Sequence, residues 1–328
     1  MTAQDILQIL LAIPFALVHS LAAQTGPAGS FAKVAERSRH LADAGKWDEA
    51  KTVLAVELTQ AKDPAQEARL KAELAHLEAD RSTYFHRNES SVLAALKEAR
   101  AAVEATGDKL ALATLEMAEG RFTYWKALDK TNDWGPPTED FDRGLQIYKE
   151  LGDQVGLGEA MFYRGLVYQM QEQNLHAREM FDRALELTKK TGDERLRSFV
   201  VRHIGYLQQT AGEIDAARAN FQKSLQLRQW NEMNVFVPFA LIALAEFEAE
   251  QRNLAEAMRL IEQAIVLAES GNSPRALYSA QLTLAKWYAD EGNTAKAKEL
   301  AEQSRAGAKA FGDSSDMKKA QDFLREHV

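Results

Sequence analysis

Residues 181–185 read Phe-Asp-Arg-Ala-Leu, and this pattern returns every 40 residues along the chain. Residues 141–145 read Phe-Asp-Arg-Gly-Leu, and residues 221–225 read Phe-Gln-Lys-Ser-Leu. The register continues at 261–265 (Ile-Glu-Gln-Ala-Ile) and at 301–305 (Ala-Glu-Gln-Ser-Arg). A fixed period of this length indicates a solenoid, in which one supersecondary unit stacks on copies of itself.

Two columns of small residues precede this pattern in each unit. The first column holds Gly165, Gly205, Ala245 and Ala285, and the second holds Ala177, Ala217, Ala257 and Ala297. Turn-forming pairs such as Gly292-Asn293 lie between the two columns. Small residues let two antiparallel helices approach closely, and the bulky residue one turn further on fills the gap between them. Each unit is therefore predicted to be a helical hairpin made of a helix A and a helix B.

The spacing within the hairpin resembles that of the tetratricopeptide repeat (TPR). Gly165, Ala177, Phe181 and Ala184 stand at the offsets where that family has a small residue in helix A and a small, a bulky and a small residue in helix B. The 40-residue period is similar to the repeats of kinesin light chains and of some bacterial regulatory proteins. The resemblance implies an all-α, right-handed superhelical solenoid of about seven antiparallel helix pairs.

The register divides residues 31–312 into seven repeats, of which the later ones match more closely. The repeats are placed at 31–62, 63–107, 108–152, 153–192, 193–232, 233–272 and 273–312. The third repeat contains an insertion, Asp129–Pro137, whose Trp134 is expected either to pack under its own loop or to contact a partner. Residues 313–328 are polar and are predicted to form a capping helix, because the ends of a solenoid must be shielded.

The first residues of the chain resemble a targeting segment. Residues 1–23 are predicted to be a secretion signal and residues 24–30 a flexible linker, since a long apolar run is followed by small residues. The leader contains Asp5 and no Lys or Arg, so an uncleaved anchor and an amphipathic helix on the first repeat are alternatives. Cleavage would make the protein periplasmic or secreted, with no membrane span in the mature form; otherwise it is expected in the cytoplasm.

The composition excludes several classes of function. With 40 Lys and Arg against 48 Asp and Glu, the chain lacks the excess of basic residues that nucleic-acid binding requires. It contains no cysteine, which excludes disulfides, thiolate metal sites and cysteine nucleophiles. No zinc-protease or EF-hand motif is present, and no metal or cofactor is expected. His203 beside Arg202 is the only pair in the predicted groove that suggests acid–base chemistry, and the protein is predicted not to be an enzyme.

The candidate binding residues follow from the resemblance, which implies that the A helices line the concave face of the superhelix. Two consecutive repeats carry the same Arg-x-x-aromatic-aromatic pattern, at residues 81–85 and 121–125. The residues that the register places on the concave face are Arg81, Tyr84, Phe85, Arg121, Tyr124, Trp125, Tyr163, Arg202, His203 and Tyr206. The groove is therefore predicted to be aromatic and basic, although the same side chains would also suit a core between repeats.

This groove predicts a non-catalytic scaffold that binds a protein or peptide. Arg recognises carboxylates through two parallel hydrogen bonds, and Tyr and Trp provide large contact area, so acidic and apolar side chains are expected on the partner. The Lys and Asn of the family's carboxylate clamp are absent from the corresponding positions, which hold Met117, Phe162 and Arg202. The alternative function is a ligand-sensing regulatory module that acts with a separate output protein.

Overall fold

The computed structural model describes residues 27–327, with side chains from residue 31 onward, and this part of the chain is helical without a strand. Its α-helices are α1 (Pro27–Asp43), α2 (Trp47–Thr59), α3 (Pro64–Tyr84), α4 (Glu89–Thr106), α5 (Lys109–Lys126), α6 (Gly135–Leu151), α7 (Gln154–Met170), α8 (Asn174–Thr191), α9 (Glu194–Thr210), α10 (Ile214–Trp230), α11 (Val237–Glu250), α12 (Leu254–Ser270), α13 (Pro274–Asp290), α14 (Thr294–Phe311) and α15 (Ser314–His327). Helices α1 to α14 pair as seven antiparallel hairpins, and α15 packs on the last of them. The predicted solenoid of seven helix pairs with a C-terminal capping helix is confirmed.

The helix ends are set by local sequence. Gly152 and Gly192 end α6 and α8 in the left-handed conformation, with φ of 69° and 77°. The next residues, Asp153 and Asp193, cap α7 and α9, because each side chain accepts hydrogen bonds from backbone N–H groups in the first turn. Asn88 caps α4 in the same way, so its place in a formal glycosylation motif has a structural explanation.

The column of small residues in the A helices matches the size of the side chain opposite. A Cβ atom on Gly165 would overlap the ring of Phe181, and one on Gly205 would lie 3.2 Å from the ring of Phe221. In the next repeat, where Ala245 replaces glycine, the facing residue is the smaller Ile261. The two columns therefore compensate each other in size, and helices A and B can pack closely in each of these repeats.

The solenoid closes on itself within one turn. Arg195 of α9 makes two hydrogen bonds, of 2.6 and 3.0 Å, with the carboxylate of Asp43 at the end of α1. The backbone N–H of Val235 donates to the carbonyl of Asp43 at 3.0 Å. The first repeat thus contacts the fifth and sixth repeats, which lie more than 150 residues further along the chain.

A second set of contacts joins the second and third repeats to the seventh. The guanidinium of Arg275 lies 4.1 Å from the ring centroid of Trp125 and donates to the carbonyl of Thr83 at 3.4 Å. The backbone N–H of Arg87 donates to the carbonyl of Phe311 at 3.0 Å. The residues predicted for a concave groove therefore line the inside of a closed turn.

The connection between α10 and α11 is longer than its counterparts and enters this inside space. The register predicts that the sixth repeat begins at residue 233, but helix α11 begins at Val237. Met233, Val235 and Phe236 are buried instead, in one hydrophobic cluster with Phe31 and Trp47 of the first repeat. The first residues of the sixth repeat are thus not helical, and their side chains fill part of the space that a regular repeat would leave open.

The N-terminal predictions fall largely on residues that the structure does not describe. The predicted signal, residues 1–23, lies outside the described part, and α1 begins at Pro27, within the predicted linker of residues 24–30. Among the described helices, none is long and apolar enough to span a bilayer.

The size compensation predicts that Gly165→Ala destabilises the protein. Replacing glycine by alanine inside a helix is normally favourable, but here the methyl group would collide with Phe181, and overpacking of this kind costs about 1–3 kcal/mol. Phe181→Leu in the same chain should recover part of this loss, because it returns the missing space. Denaturant unfolding of the two single variants and the double variant checks this, and additive effects would contradict the compensation.

Candidate functional site

The ten predicted residues lie on the inner side of the closed turn, at the C-terminal half of helices α3, α5, α7 and α9. Their side chains form four groups with different surroundings. The first is aromatic, the second is a buried ion network, the third is a surface ion pair, and the fourth is a polar chain on α7 and α9.

Tyr84, Tyr124 and Trp125 form the aromatic group. The ring of Tyr84 lies 4.8 Å from that of Phe236 and 6.1 Å from that of Trp125, both edge-to-face. Tyr124 is buried and packs edge-to-face on Trp125 at 5.4 Å. This group fills the inside where the third repeat meets the seventh, and such pairs contribute about 0.5–1.5 kcal/mol each beyond their buried area.

Trp134 of the insertion adds to this group from its own loop. Residues Ala127–Thr131 form one turn of π-helix after α5, and Trp134 follows it. The indole lies 5.5 Å from the ring of Tyr124, and its N–H donates to the side-chain oxygen of Asn132 at 3.0 Å. Of the two predicted roles of Trp134, packing under its own loop is the one observed.

Arg121 and Tyr163 belong to the buried ion network. The Arg121 side chain is 3% exposed; it pairs with Asp80 and donates to Glu159 at 2.7 Å, and it lies 4.6 Å from the ring centroid of Tyr163. The network continues through His76 beside Glu159 to other pairs of the first repeats. Burial would raise the pKa of Glu159, but the charges of His76, Arg39 and Arg121 outweigh it and lower that pKa. These residues are already paired with each other.

Arg81 and Phe85 lie at the C-terminal end of α3. Arg81 pairs with Asp48 at 3.0 Å, and its guanidinium lies 5.6 Å from the ring centroid of Phe85. Phe85 stacks on Trp47 at 6.3 Å. It also lines a cavity of about 320 Å³ between α3 and the last repeat, together with Leu277 and Tyr278.

Arg202, His203 and Tyr206 form the polar chain with Gln169. The His203 Nδ1 lies 2.7 Å from the Gln169 side-chain oxygen, and the Arg202 Nη2 lies 3.2 Å from the His203 Nε2. Burial and the charges of Arg202 and Arg228 hold the pKa of His203 well below its usual range. The ring is therefore neutral; it donates from Nδ1 to Gln169 and accepts at Nε2 from Arg202.

The polar chain differs from the other groups in charge balance. Arg202, His203 and Tyr206 are each only half-buried. Among the described residues, no carboxylate lies within ion-pair distance of Arg202, whereas Arg81 has one and Arg121 has two. Of the three arginines in the predicted set, Arg202 alone keeps its charge available on the inner side.

Arg228 is the residue that sequence analysis missed. It lies on helix α10, a B helix, with 0% of its surface exposed; its Nη1 donates to the carbonyl of Phe236 at 2.8 Å. Its guanidinium lies 4.7 Å from the ring centroid of Phe199. The 40-residue register contains a signal for it, because the equivalent positions are all buried: Tyr148, Thr188, Ala268 and Ala308.

Three carboxylates meet elsewhere, between α5 and α6. Oxygen atoms of Glu116, Glu119 and Asp140 lie within 4.8 Å of one another. Arg143 binds both Glu116 and Asp140, and Arg100 binds Glu119. Two arginines thus pair with all three carboxylates, which matches a structural role and gives no reason to place a metal there.

Several solved structures share the fold of this chain. No protein-family profile and no curated protein sequence matches the chain. Its fold is similar to that of Rap protein complexed with competence and sporulation factor, with a TM-score of 0.71, 14% identity and coverage of 92% of this chain and 82% of that one.

Two further solved structures share the fold. NprR in complex with its cognate peptide NprX has a TM-score of 0.56 and 16% identity, over 98% of this chain and 92% of that one. Aspartyl phosphate phosphatase F from Bacillus subtilis has a TM-score of 0.53 and 10% identity, over 94% of this chain and 97% of that one. Together with the helical hairpins, these likenesses show a TPR-type solenoid fold.

The buried carboxyl of Asp140 predicts a pH-dependent stability. Burial raises its pKa to about 6, against a hydrogen bond from Thr123 and the charge of Arg143, which lower it. Because the folded state favours the protonated carboxyl, Asp140 stabilises it fully below about pH 4. This contribution to the free energy of unfolding is lost as the pH rises through 6 and the buried carboxyl must ionise. Asp140→Asn removes the dependence, so its unfolding free energy relative to the natural protein should rise by up to about 3 kcal/mol between pH 4 and 7. Urea unfolding across this range measures the difference, and a constant difference would contradict the assignment.

Proposed function

We propose that the protein is a non-catalytic scaffold that binds a peptide, or an extended segment of a partner protein, on the inner side of its closed turn. The partner presents acidic and apolar side chains, because the inner side offers arginine and aromatic rings. Nucleic acid is not the partner, since the chain carries an excess of acidic residues.

The polar chain on α7 and α9 carries this proposal. Gln169 holds His203, and His203 holds Arg202, so the guanidinium is fixed before any ligand arrives. Fixing a binding group in advance lowers the entropy cost of association. Because these side chains are half-buried and lie beside Tyr206, a ligand would meet both hydrogen-bond donors and ring surface there.

Two of the structural neighbours support a peptide-type ligand. The solved Rap protein is complexed with competence and sporulation factor, and the solved NprR is complexed with its cognate peptide. Both share with this chain a continuous solenoid over most of its length. The proposal transfers only the class of ligand to this chain.

The geometry of His203 favours binding over catalysis. Both of its ring nitrogens are engaged, and its pKa is depressed by burial and by Arg202 and Arg228, so near neutral pH it has no free nitrogen to accept a proton and no imidazolium proton to give. One neighbour is named as a phosphatase, so the fold alone does not decide between the two kinds of function.

The closing contacts favour a second candidate, a ligand-sensing regulatory module that acts with a separate output protein. Arg275 of the seventh repeat rests on Trp125 of the third, beside the aromatic group on the inner side. A ligand that contacts this group would change the energy of closure, and such differential contact is what couples binding to conformation.

A selection from a random heptapeptide library on the immobilised protein tests the proposed function. Enriched peptides should slow amide hydrogen exchange in α7 and α9, and Tyr206→Ala should weaken their binding about tenfold or more, since aromatic anchors often dominate such interfaces. Arg178→Ala, at an exposed ion pair on α8, is the matched control and should bind normally. Protection confined to the outer B helices would contradict the proposal. A decrease in radius of gyration on binding would favour the sensing role.

We also propose that the mature protein is exported, in the periplasm or beyond the cell, after removal of residues 1–23. The apolar run and the small residues that follow it support this. Mass spectrometry of the protein from its natural host should find a first residue at or close to Gln24. An intact Met1 would contradict export by a cleaved signal.

A further inference from the structure

The arginines on the inner side are not balanced equally. Arg39 pairs with Glu73 at 2.6 Å, Arg195 pairs with Asp43 at 2.6 Å, and Arg121 has two acidic partners. In the described part of the chain, neither Arg202 nor Arg228 has an acidic partner. Positive charge is therefore compensated at Arg39, Arg121 and Arg195, whereas Arg202 and Arg228 have no carboxylate within ion-pair distance in the described structure.

Buried nitrogen atoms without a hydrogen-bond partner occur on several arginines, and Arg202 and Arg228 are among them. The Nε and Nη2 atoms of Arg228 and the Nε of Arg202 are buried, and no acceptor in the described structure binds them. An unpaired buried donor on a charged group carries a large desolvation cost, so natural structures seldom leave one without a partner. Two neighbouring arginines share this condition here.

Aromatic side chains connect Arg228 to Arg202, and few charged groups lie around these two arginines. Arg228 lies against Phe199, whose ring is 6.1 Å from Phe162, and Phe162 in turn lies 5.5 Å from the ring of His203, which binds Arg202. The charge of Glu246 acts on Arg202 and that of Asp43 acts on Arg228, but neither carboxylate pairs directly with these arginines; Glu246 accepts a hydrogen bond from Thr283 at 3.2 Å. The rings of Phe199 and Phe236 lie against Arg228.

We propose that Arg202 and Arg228 form a site for one carboxylate group of the ligand. Arg202 binds it directly from the half-buried side, in the orientation set by His203 and Gln169. Arg228 lies fully buried behind the aromatic rings and stabilises the same carboxylate through its charge. This inference rests on the proposed function for the identity of the ligand, which supplies either a C-terminal carboxylate or the side chain of Asp or Glu.

The chain itself offers little to occupy this site. Among residues 1–30, whose side chains are not described, Asp5 is the sole acidic residue. An Asp5→Asn variant therefore serves as a control: unchanged carboxylate binding supports an external ligand. Tighter carboxylate binding in this variant would show that Asp5 competes for the site and would overturn the proposal.

Small probes test the site without knowledge of the ligand. N-acetylphenylalanine carries a C-terminal carboxylate, N-acetylglutamic acid α-amide carries a side-chain carboxylate, and N-acetylphenylalaninamide carries none. At least one acid should bind to the full-length protein about tenfold or more tightly than the amide in NMR titration, as expected for hydrogen bonds between charged groups. The acid that binds identifies the source of the carboxylate, and equal binding of all three would overturn the proposal.

Substitutions separate a binding role from a structural one. Arg202→Gln should lose the preference for acids, while Arg178→Gln, at an exposed arginine on α8 with its own acidic partner, should keep it. Arg228→Met keeps the side-chain length and removes the buried charge; it should weaken acid binding and raise the melting temperature of the ligand-free protein. If Arg228 only supported the fold, its loss would lower the melting temperature, and this result would overturn its assigned role.

The outcome is distinguishable from failure of the proposed function. If the selected peptides bind equally well when their C-terminus is amidated and their acidic side chains are replaced, the proposed carboxylate site is wrong and the proposed peptide binding still holds. If the small acids bind more tightly than the amide but no peptide is enriched from the library, the proposed peptide binding is wrong and the carboxylate site still holds.

Discussion

The close approach of helices A and B within each repeat is the constraint on which the rest of this structure depends. Gly165 against Phe181, Gly205 against Phe221 and Ala245 against Ile261 allow this close approach in three successive hairpins. Similar units that stack with a small rotation at each step form a superhelix. In this chain the accumulated rotation brings the seventh repeat into contact with the second and third.

Closure of the turn changes the surroundings of the residues on the inner side. An open TPR-type groove would expose its aromatic and basic side chains to solvent, whereas here Tyr84 packs on Phe236 and Arg275 packs on Trp125. Charges that enter such a space lose water and require partners. Most arginines inside meet this requirement with carboxylates of a neighbouring repeat. Arg202 and Arg228 do not, and this local excess of positive charge is the feature that distinguishes the inner side chemically.

Part of the candidate site was within reach of sequence reasoning. Arg121 binds Asp80 and Glu159, which lie one repeat before and one repeat after it, so the 40-residue register by itself brings these three side chains together on adjacent A helices. The register also places Arg228 in a column of buried residues. Residue spacing alone allowed Arg121 either to face a ligand or to lie in a core between repeats, and its pairing with Asp80 and Glu159 decides for the second. The orientation of Arg202 depends on its hydrogen bond with His203, which in turn binds Gln169. Residue spacing does not predict that these three side chains are hydrogen-bonded to each other or that they are half-exposed.

The sequence by itself determined the helical hairpins, their number, their capping and the solenoid that they form. These properties depend on contacts within a repeat or between adjacent repeats, which a fixed period encodes directly. Only the tertiary structure decided that the turn closes through Asp43 and Arg195, and that residues 231–236 unwind to fill the inside. The physical reason is that small rotations accumulate over seven repeats, and the contacts they produce join residues with no shared pattern in the sequence.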